Sequence, residues 1–185
     1  MVTDSLYGWI AFETGNAYFI ENRSKVIFTY SKKNIINNDW YGEVCIRKVD
    51  LNTSSTIFEK NFNNLPFKLS NDETMIGTYF YSLYYSEIFN TFNFNLEWQV
   101  PNSINSSKYI AFSPDDRYLA VAFQNLGKII IYDLETKEEV YFYNMGTYHT
   151  VSFSSNGNYI AGSVGPVLVL HYTRNWYTSV QENLI

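Results

Sequence analysis

The chain has 185 residues, a formal net charge of −5, an aromatic share of 19% and a charged share of 17%, with only 9 glycines and 4 prolines. That composition excludes a disordered or collagen-like chain and is enough for a substantial core, with one domain over residues 1–185 as the expectation. The acidic balance supplies no basic footprint for nucleic acid or an anionic membrane surface, so neither is expected as a partner.

The first apolar β-prone run is Trp9-Ile10-Ala11-Phe12. Short strands then follow near Ala17 to Glu21, Val26 to Tyr30, Val44 to Val49 and Thr56 to Phe62, with a long loop from Lys32 to Gly42. Further on, Met75 to Leu83 is nearly continuous in aromatics. Phe92, Phe94, Leu96 and Trp98 alternate with Asn93, Asn95, Glu97 and Gln99, a period of two that predicts one long half-buried strand unless an Asn-rich turn near Asn93 to Asn95 interrupts it. The clearest segment comes next. Tyr109 to Phe112, Tyr118 to Phe123, Ile129 to Tyr132 and Val140 to Tyr143 are four apolar runs, separated by Ser113-Pro114-Asp115-Asp116-Arg117, Gln124 to Gly127 and Asp133-Leu134-Glu135-Thr136-Lys137. Pro presets φ and Asp bonds its own backbone, so these separators read as turns between antiparallel strands. No stretch carries a useful helical period, which makes the class all-β.

Repetition organises the whole. Phe153-Ser154-Ser155-Asn156-Gly157-Asn158-Tyr159-Ile160-Ala161 repeats the strand, turn and strand that begin at Phe112, 41 positions on. Leu69-Ser70-Asn71-Asp72-Glu73 gives the same start 43 positions before Phe112, and Asp50-Leu51-Asn52-Thr53 stands 83 positions, two periods, before Asp133-Leu134-Glu135-Thr136. A four-stranded unit of about forty residues is the size of a propeller blade. The expected layout is four blades of four antiparallel strands, at 17–63, 64–100, 101–144 and 145–182. Strand 9–12 is expected to join the last blade and close the ring, because an unclosed propeller exposes bare sheet edges. The alternative makes it the inner strand of the first blade, with an extra hairpin after it. Four blades fit either a closed four-bladed ring or half of an eight-bladed homodimer. Phe112, Leu119, Ile130, Phe153 and Ile160, at equivalent repeat positions, are the expected core between adjacent blades.

The repeat resembles the WD40 family of β-propellers, best over residues 108–136 and 150–172. The resemblance rests on Phe112-Ser113-Pro114-Asp115, Leu119-Ala120 and Ile131-Tyr132-Asp133-Leu134-Glu135-Thr136, with Tyr132 where the family usually has Trp. No Gly-His pair precedes Tyr109 at the family's distance, and Gln124-Asn125 stand where the family often has Asp, so the segment is WD40-like. The resemblance implies a non-catalytic module that presents loops and rims to another protein.

The residues themselves point to no catalytic group and no cofactor. The single cysteine, Cys45, permits neither an intrachain disulfide nor a cysteine metal site. His149 and His171 are too few for a histidine metal site, and no HExxH, P-loop, GxSxG or GxGxxG pattern occurs. His171 is expected to be a partly buried blade residue. Met1 to Tyr7 lack a basic segment followed by an apolar one, and no apolar run approaches the roughly twenty residues of a membrane helix, so an intracellular, cytoplasmic protein is expected. In a meander blade the loop joining strands two and three emerges on the same face as the link between blades. That face would collect Trp40, Tyr41, Tyr84, Tyr85, Tyr148 and His149, and loop aromatics are over-represented as interface anchors. Protein–protein interaction or scaffolding through these residues is therefore the leading expectation. The alternatives are a carbohydrate-binding or hydrolytic propeller, from the surplus of Tyr and Trp, and a structural subunit of a viral or other large assembly, from the richness in Asn, Tyr and Ile.

Overall fold

The structure, a computed structural model, describes residues 17–32, 43–62, 67–78, 86–101, 107–123, 126–144, 148–164 and 166–173. Strand 9–12 lies outside them. The chain divides into two compact units, residues 1–66 and 67–185.

The first unit holds one antiparallel sheet of β1 (Ala17–Ile20), β2 (Lys25–Lys32), β3 (Glu43–Asp50) and β4 (Ser55–Phe62), in that spatial order. Its first turn is tight because Glu21, Asn22 and Arg23 all take left-handed backbone angles. Ile20, Ile27 and Ile46 are fully buried, as period-two alternation in half-covered strands requires. Lys48 is buried among them, its ammonium held 3.0 Å from the Glu21 carboxylate.

Among the described residues the second unit holds three sheets. Strands β5 (Phe67–Leu69), β6 (Met75–Thr78), β7 (Ser86–Asn90) and β8 (Leu96–Val100) form one four-stranded meander. Strands β9 (Ser107–Phe112), β10 (Tyr118–Phe123), β11 (Lys128–Asp133) and β12 (Glu139–Asn144) form the next. The last contains, among the described residues, three strands: β13 (Tyr148–Phe153), β14 (Tyr159–Val164) and β15 (Val167–Tyr172). Every pairing in the four sheets is antiparallel. The protein is all-β with a β-propeller's blade construction.

The middle sheet of this unit explains why its sequence is the clearest. All six residues of β10, Tyr-Leu-Ala-Val-Ala-Phe, are buried, because both faces of the strand are covered. Leu119, Val121 and Phe123 join Ile110, Phe112, Ile130 and Tyr132 in a core shared with Ile88 and Val100 of the preceding sheet. Tyr118, Ala120 and Ala122 join Ile129 and Ile131 on the other face, against Val151 and Ile160 of the following sheet. A strand buried on both sides loses the alternation of a half-exposed one and reads as a continuous apolar run. Gly77 marks where the preceding sheet approaches most closely: a β-carbon there would overlap the Ile110 side chain and crowd Ile88 and Phe112.

Of the expected core, Phe112, Leu119, Ile130 and Ile160 are buried, while Phe153 is half-buried. The run from Phe92 to Trp98 is not one strand. Asn90 ends β7 and its side-chain oxygen accepts the N–H groups of Phe92 (2.8 Å) and Asn93 (3.3 Å), while Phe94 turns left-handed. That bend buries Phe94 and exposes Phe92, so two phenylalanines of one apparent stripe end in opposite environments. The turn competes with strand extension because a side-chain amide at its start satisfies the backbone donors that a continuing ladder would have used.

Candidate functional site

Three equivalent turns, each after the first strand of its sheet, converge on one region of the second unit. In each, a serine hydroxyl donates to a side-chain oxygen two residues on and accepts the N–H five residues on. Ser70 donates to Asp72 (2.7 Å) and accepts from Met75 (2.9 Å); Ser113 donates to Asp115 (2.6 Å) and accepts from Tyr118 (2.9 Å). Ser154 donates to Asn156 (2.8 Å) and accepts from Tyr159 (3.0 Å). The fourth residue of each turn, Glu73, Asp116 or Gly157, is left-handed, so the hairpin closes identically each time. Burial by itself would raise the Asp72 carboxyl's pKa, but the hydrogen bonds from Thr74 and Ser70 outweigh it and hold the group below its ordinary value.

The turns of the first two sheets of this unit are bolted together. The Asp116 carboxylate accepts the backbone N–H of Asn71 (2.8 Å), the Asn71 side-chain amide (2.9 Å) and the N–H of Asp72 (2.7 Å). The Asn71 amide also donates to the carbonyl of Ser113 (2.8 Å). One repeat on, both halves of this clamp are missing from the sequence: Pro114 replaces Asn71 and has no N–H, and Gly157 replaces Asp116 and has no carboxylate.

Next to the clamp lies an open groove of about 480 Å³, lined by residues of all three turns and of the strands that lead into them. Leu69, Phe112, Val151 and Phe153 give it an apolar floor, and Lys68, Ser152 and Ser155 are exposed at its rim. A site of this composition can take an apolar side chain on the floor with a negatively charged group beside Lys68.

A second set of turns, after the third strand, uses the same device three times. Asp50 accepts the N–H groups of Asn52 and Thr53, Asn90 those of Phe92 and Asn93, and Asp133 those of Glu135 and Thr136. Asp133 is buried and also meets the Arg117 guanidinium at 3.1 Å. Its burial favours the neutral acid, yet the Thr136 and Glu135 N–H groups and Arg117 prevail, and the carboxyl's pKa is lowered.

Trp40, Tyr41, Tyr84 and Tyr85 lie outside the described residues. Tyr148 and His149 open β13, with Tyr148 paired to Val164, and their side chains lie outside the description. His171 is half-buried and stacks on the Tyr143 ring at 4.1 Å, and burial lowers its pKa. Among the described residues no group of three or more His, Cys, Asp and Glu side chains could hold a metal ion. No described helix is long and apolar enough to cross a membrane. Sequence reasoning missed the groove and its clamp. The available signal was the change from Asn71 to Pro114 and from Asp116 to Gly157 at positions that otherwise repeat.

No family model and no curated protein matches the chain in sequence. Among solved structures it is similar to the β-propeller domain of Cps50 (Swd1) from Myceliophteria thermophila, with a TM-score of 0.67 and 10% sequence identity. The likeness covers 84% of this chain and 52% of that domain, so the chain spans about half its length. What it establishes is the fold, a β-propeller architecture.

Proposed function

We propose that the chain is a non-catalytic protein-interaction module of the cytoplasm that holds a segment of another protein in the groove beside the Asn71–Asp116 clamp. The observation that carries this reading is the groove's make-up. An apolar floor of Leu69, Phe112 and Phe153 is set next to a single rim cation, Lys68, among the residues that line it. The fitting segment is an exposed stretch of chain with a large apolar side chain next to Asp or Glu. Propellers commonly serve as scaffolds, and the groove's walls are held by turns that hydrogen-bond their own side chains, so it is formed before anything binds.

A second surface is favoured by topology. The segments carrying Trp40 and Tyr41 and carrying Tyr84 and Tyr85 join strands two and three of their sheets, since they fall between β2 and β3 and between β6 and β7. The turns that line the groove instead follow strand one of the second unit's sheets. Trp40 in the first unit and Tyr84 in the second would thus each serve a contact separate from the groove.

Panning a random peptide display library on the full chain tests the primary reading. The expected outcome is enrichment of a large apolar residue adjacent to an acidic one, lost on Ser152→Trp, which fills the rim. Enrichment that survives Ser152→Trp and disappears with Trp40→Ala or Tyr84→Ala would move the function to the loop aromatics. Binding to a glycan array in place of peptides would favour the carbohydrate reading.

A further inference from the structure

The turn that carries Asn71 and the turn that carries Ser155 stand two repeats apart and are built alike. In the first, the Ser70 N–H donates to the Met75 carbonyl (2.9 Å), the Glu73 N–H to the Ser70 carbonyl (3.1 Å) and the Thr74 N–H to the Asp72 carboxylate (3.0 Å). In the second, the Ser154 N–H donates to the Tyr159 carbonyl (2.9 Å), the Gly157 N–H to the Ser154 carbonyl (2.9 Å) and the Asn158 N–H to the Asn156 side-chain oxygen (3.1 Å). Both also share the bonding of the serine hydroxyl and a left-handed fourth residue, so they present the same backbone groups at the same places.

What such a turn holds is visible in the first one. Its two successive N–H groups, of Asn71 and Asp72, donate to the two oxygens of one carboxylate, that of Asp116, at 2.8 and 2.7 Å. The Asn71 side chain adds a third donor at 2.9 Å. Adjacent N–H groups aimed at one anion form a bidentate receptor for it. In the last turn the equivalent N–H groups belong to Ser155 and Asn156, with the Ser155 hydroxyl in place of the Asn71 amide. Both residues are exposed, and among the described residues nothing accepts either N–H. The middle turn lacks the pair, because Pro114 removes one of its two donors.

Two further features single out the last turn. The first two turns carry acids at their third and fourth positions, Asp72 with Glu73 and Asp115 with Asp116, whereas the last carries Asn156 and Gly157. It keeps the side-chain oxygen that closes the turn and drops both negative charges, so an incoming anion meets no repulsion from it. Ser155 also lines the groove, whose lining residues include Lys68 and no Asp or Glu.

We propose that the Ser155–Asn156 turn is the receptor for a carboxylate of the segment held in the groove, taken by the two N–H groups as Asp116 is taken by Asn71 and Asp72. The inference rests on the groove reading and adds the atoms that seat the acid. Lys68 supplies charge, the turn supplies direction, and the segment's large apolar side chain lies on the floor of Leu69, Phe112 and Phe153. An Asp side chain and the C-terminal carboxylate of a chain offer the turn the same chemistry.

Amide-proton NMR of the full chain tests this with acetyl-Phe-Asp-amide, whose carboxylate is a side chain, and acetyl-Gly-Phe, whose carboxylate ends the chain. Neutral acetyl-Phe-Asn-amide is the control. At least one acidic probe should move the Ser155 and Asn156 N–H protons downfield, which the control should not do, and the probe that does so names the source. Ser155→Pro copies Pro114 of the middle turn, and Asn156→Asp copies Asp72 and Asp115, so both suit the turn. Each should weaken the acidic probe about tenfold and leave the control unchanged. Acidic probes that shift Leu69, Phe112 and Phe153 but leave Ser155 and Asn156 unmoved would overturn the inference and spare the groove reading. Undiminished affinity in Ser155→Pro would do the same. Probes that shift none of these residues would overturn both.

Discussion

Asp116 receives both the backbone N–H and the side-chain amide of Asn71, at 2.8 and 2.9 Å, and so ties the turn of one sheet to the turn of its neighbour across 45 residues of sequence. Because Asp116 is left-handed, replacing it by Ala removes the acceptor and adds backbone strain, whereas Gly removes the acceptor alone. Asp116→Ala should cost about 1–3 kcal/mol, from hydrogen bonds to a charged acceptor, and Asp116→Gly measurably less. Urea denaturation of the two variants checks the order. Equal losses would mean that strain contributes nothing at this turn.

Gly77→Ala should destabilise by about 1–3 kcal/mol, since the added methyl overlaps the buried Ile110 side chain and crowds Phe112. Combining it with Ile110→Val, which withdraws the methyl group it strikes, should recover part of the loss in thermal melts. A double variant no more stable than Gly77→Ala would show that Ile110 is not the obstacle.

Phe112 and Phe153 hold equivalent positions but differ in cover, Phe112 being buried and Phe153 half-buried at the groove. Phe112→Ala should cost about 3–5 kcal/mol, the range for emptying an aromatic core site, and Phe153→Ala clearly less. Their midpoints in urea give the comparison. Equal losses would contradict the difference in packing.

Asp133 links stability to pH. Its folded carboxyl titrates below the ordinary value of 3.8, so the stability it lends is fully present above that value and is lost as pH falls through the lower folded one. Asp133→Ala should cost about 1–2 kcal/mol at neutral pH by removing the acceptor of two N–H groups. Asp133→Asn should cost less, because Asn90 builds the same turn without charge. Both variants should flatten the fall in stability below pH 4. An unchanged acid profile would place the acid sensitivity on other carboxylates.

Much of the fold was legible because its turns are written in side chains. Ser70, Ser113 and Ser154 repeat at one period and do the same bonding in each sheet, and Asp50 and Asp133 repeat at two periods for the same reason. Asn90 belongs to that second series but was hidden by the alternating aromatics that follow it, where period two runs straight through a turn. The groove was not legible because it depends on which neighbouring turns meet, a property of three segments some forty residues apart. The exposure of Leu168 and Leu170 in the fourth sheet was equally hidden. Leu168 and Leu170 look in sequence like any buried strand, and only the pairing register and their exposure tell them apart from Ile129 and Ile131.

As the one cation lining the groove, Lys68 is its charge selector, and a charge swap tests that role. Fluorescence polarisation would follow one groove-binding peptide carrying an acidic residue, and its counterpart with Lys at that place, on wild type and on Lys68→Glu. Lys68 is exposed, so the change leaves the fold intact. Lys68→Glu should weaken binding of the acidic peptide about tenfold and strengthen that of the basic one, with the effect shrinking as salt screens the pair. Equal affinities of both peptides for both proteins would contradict it.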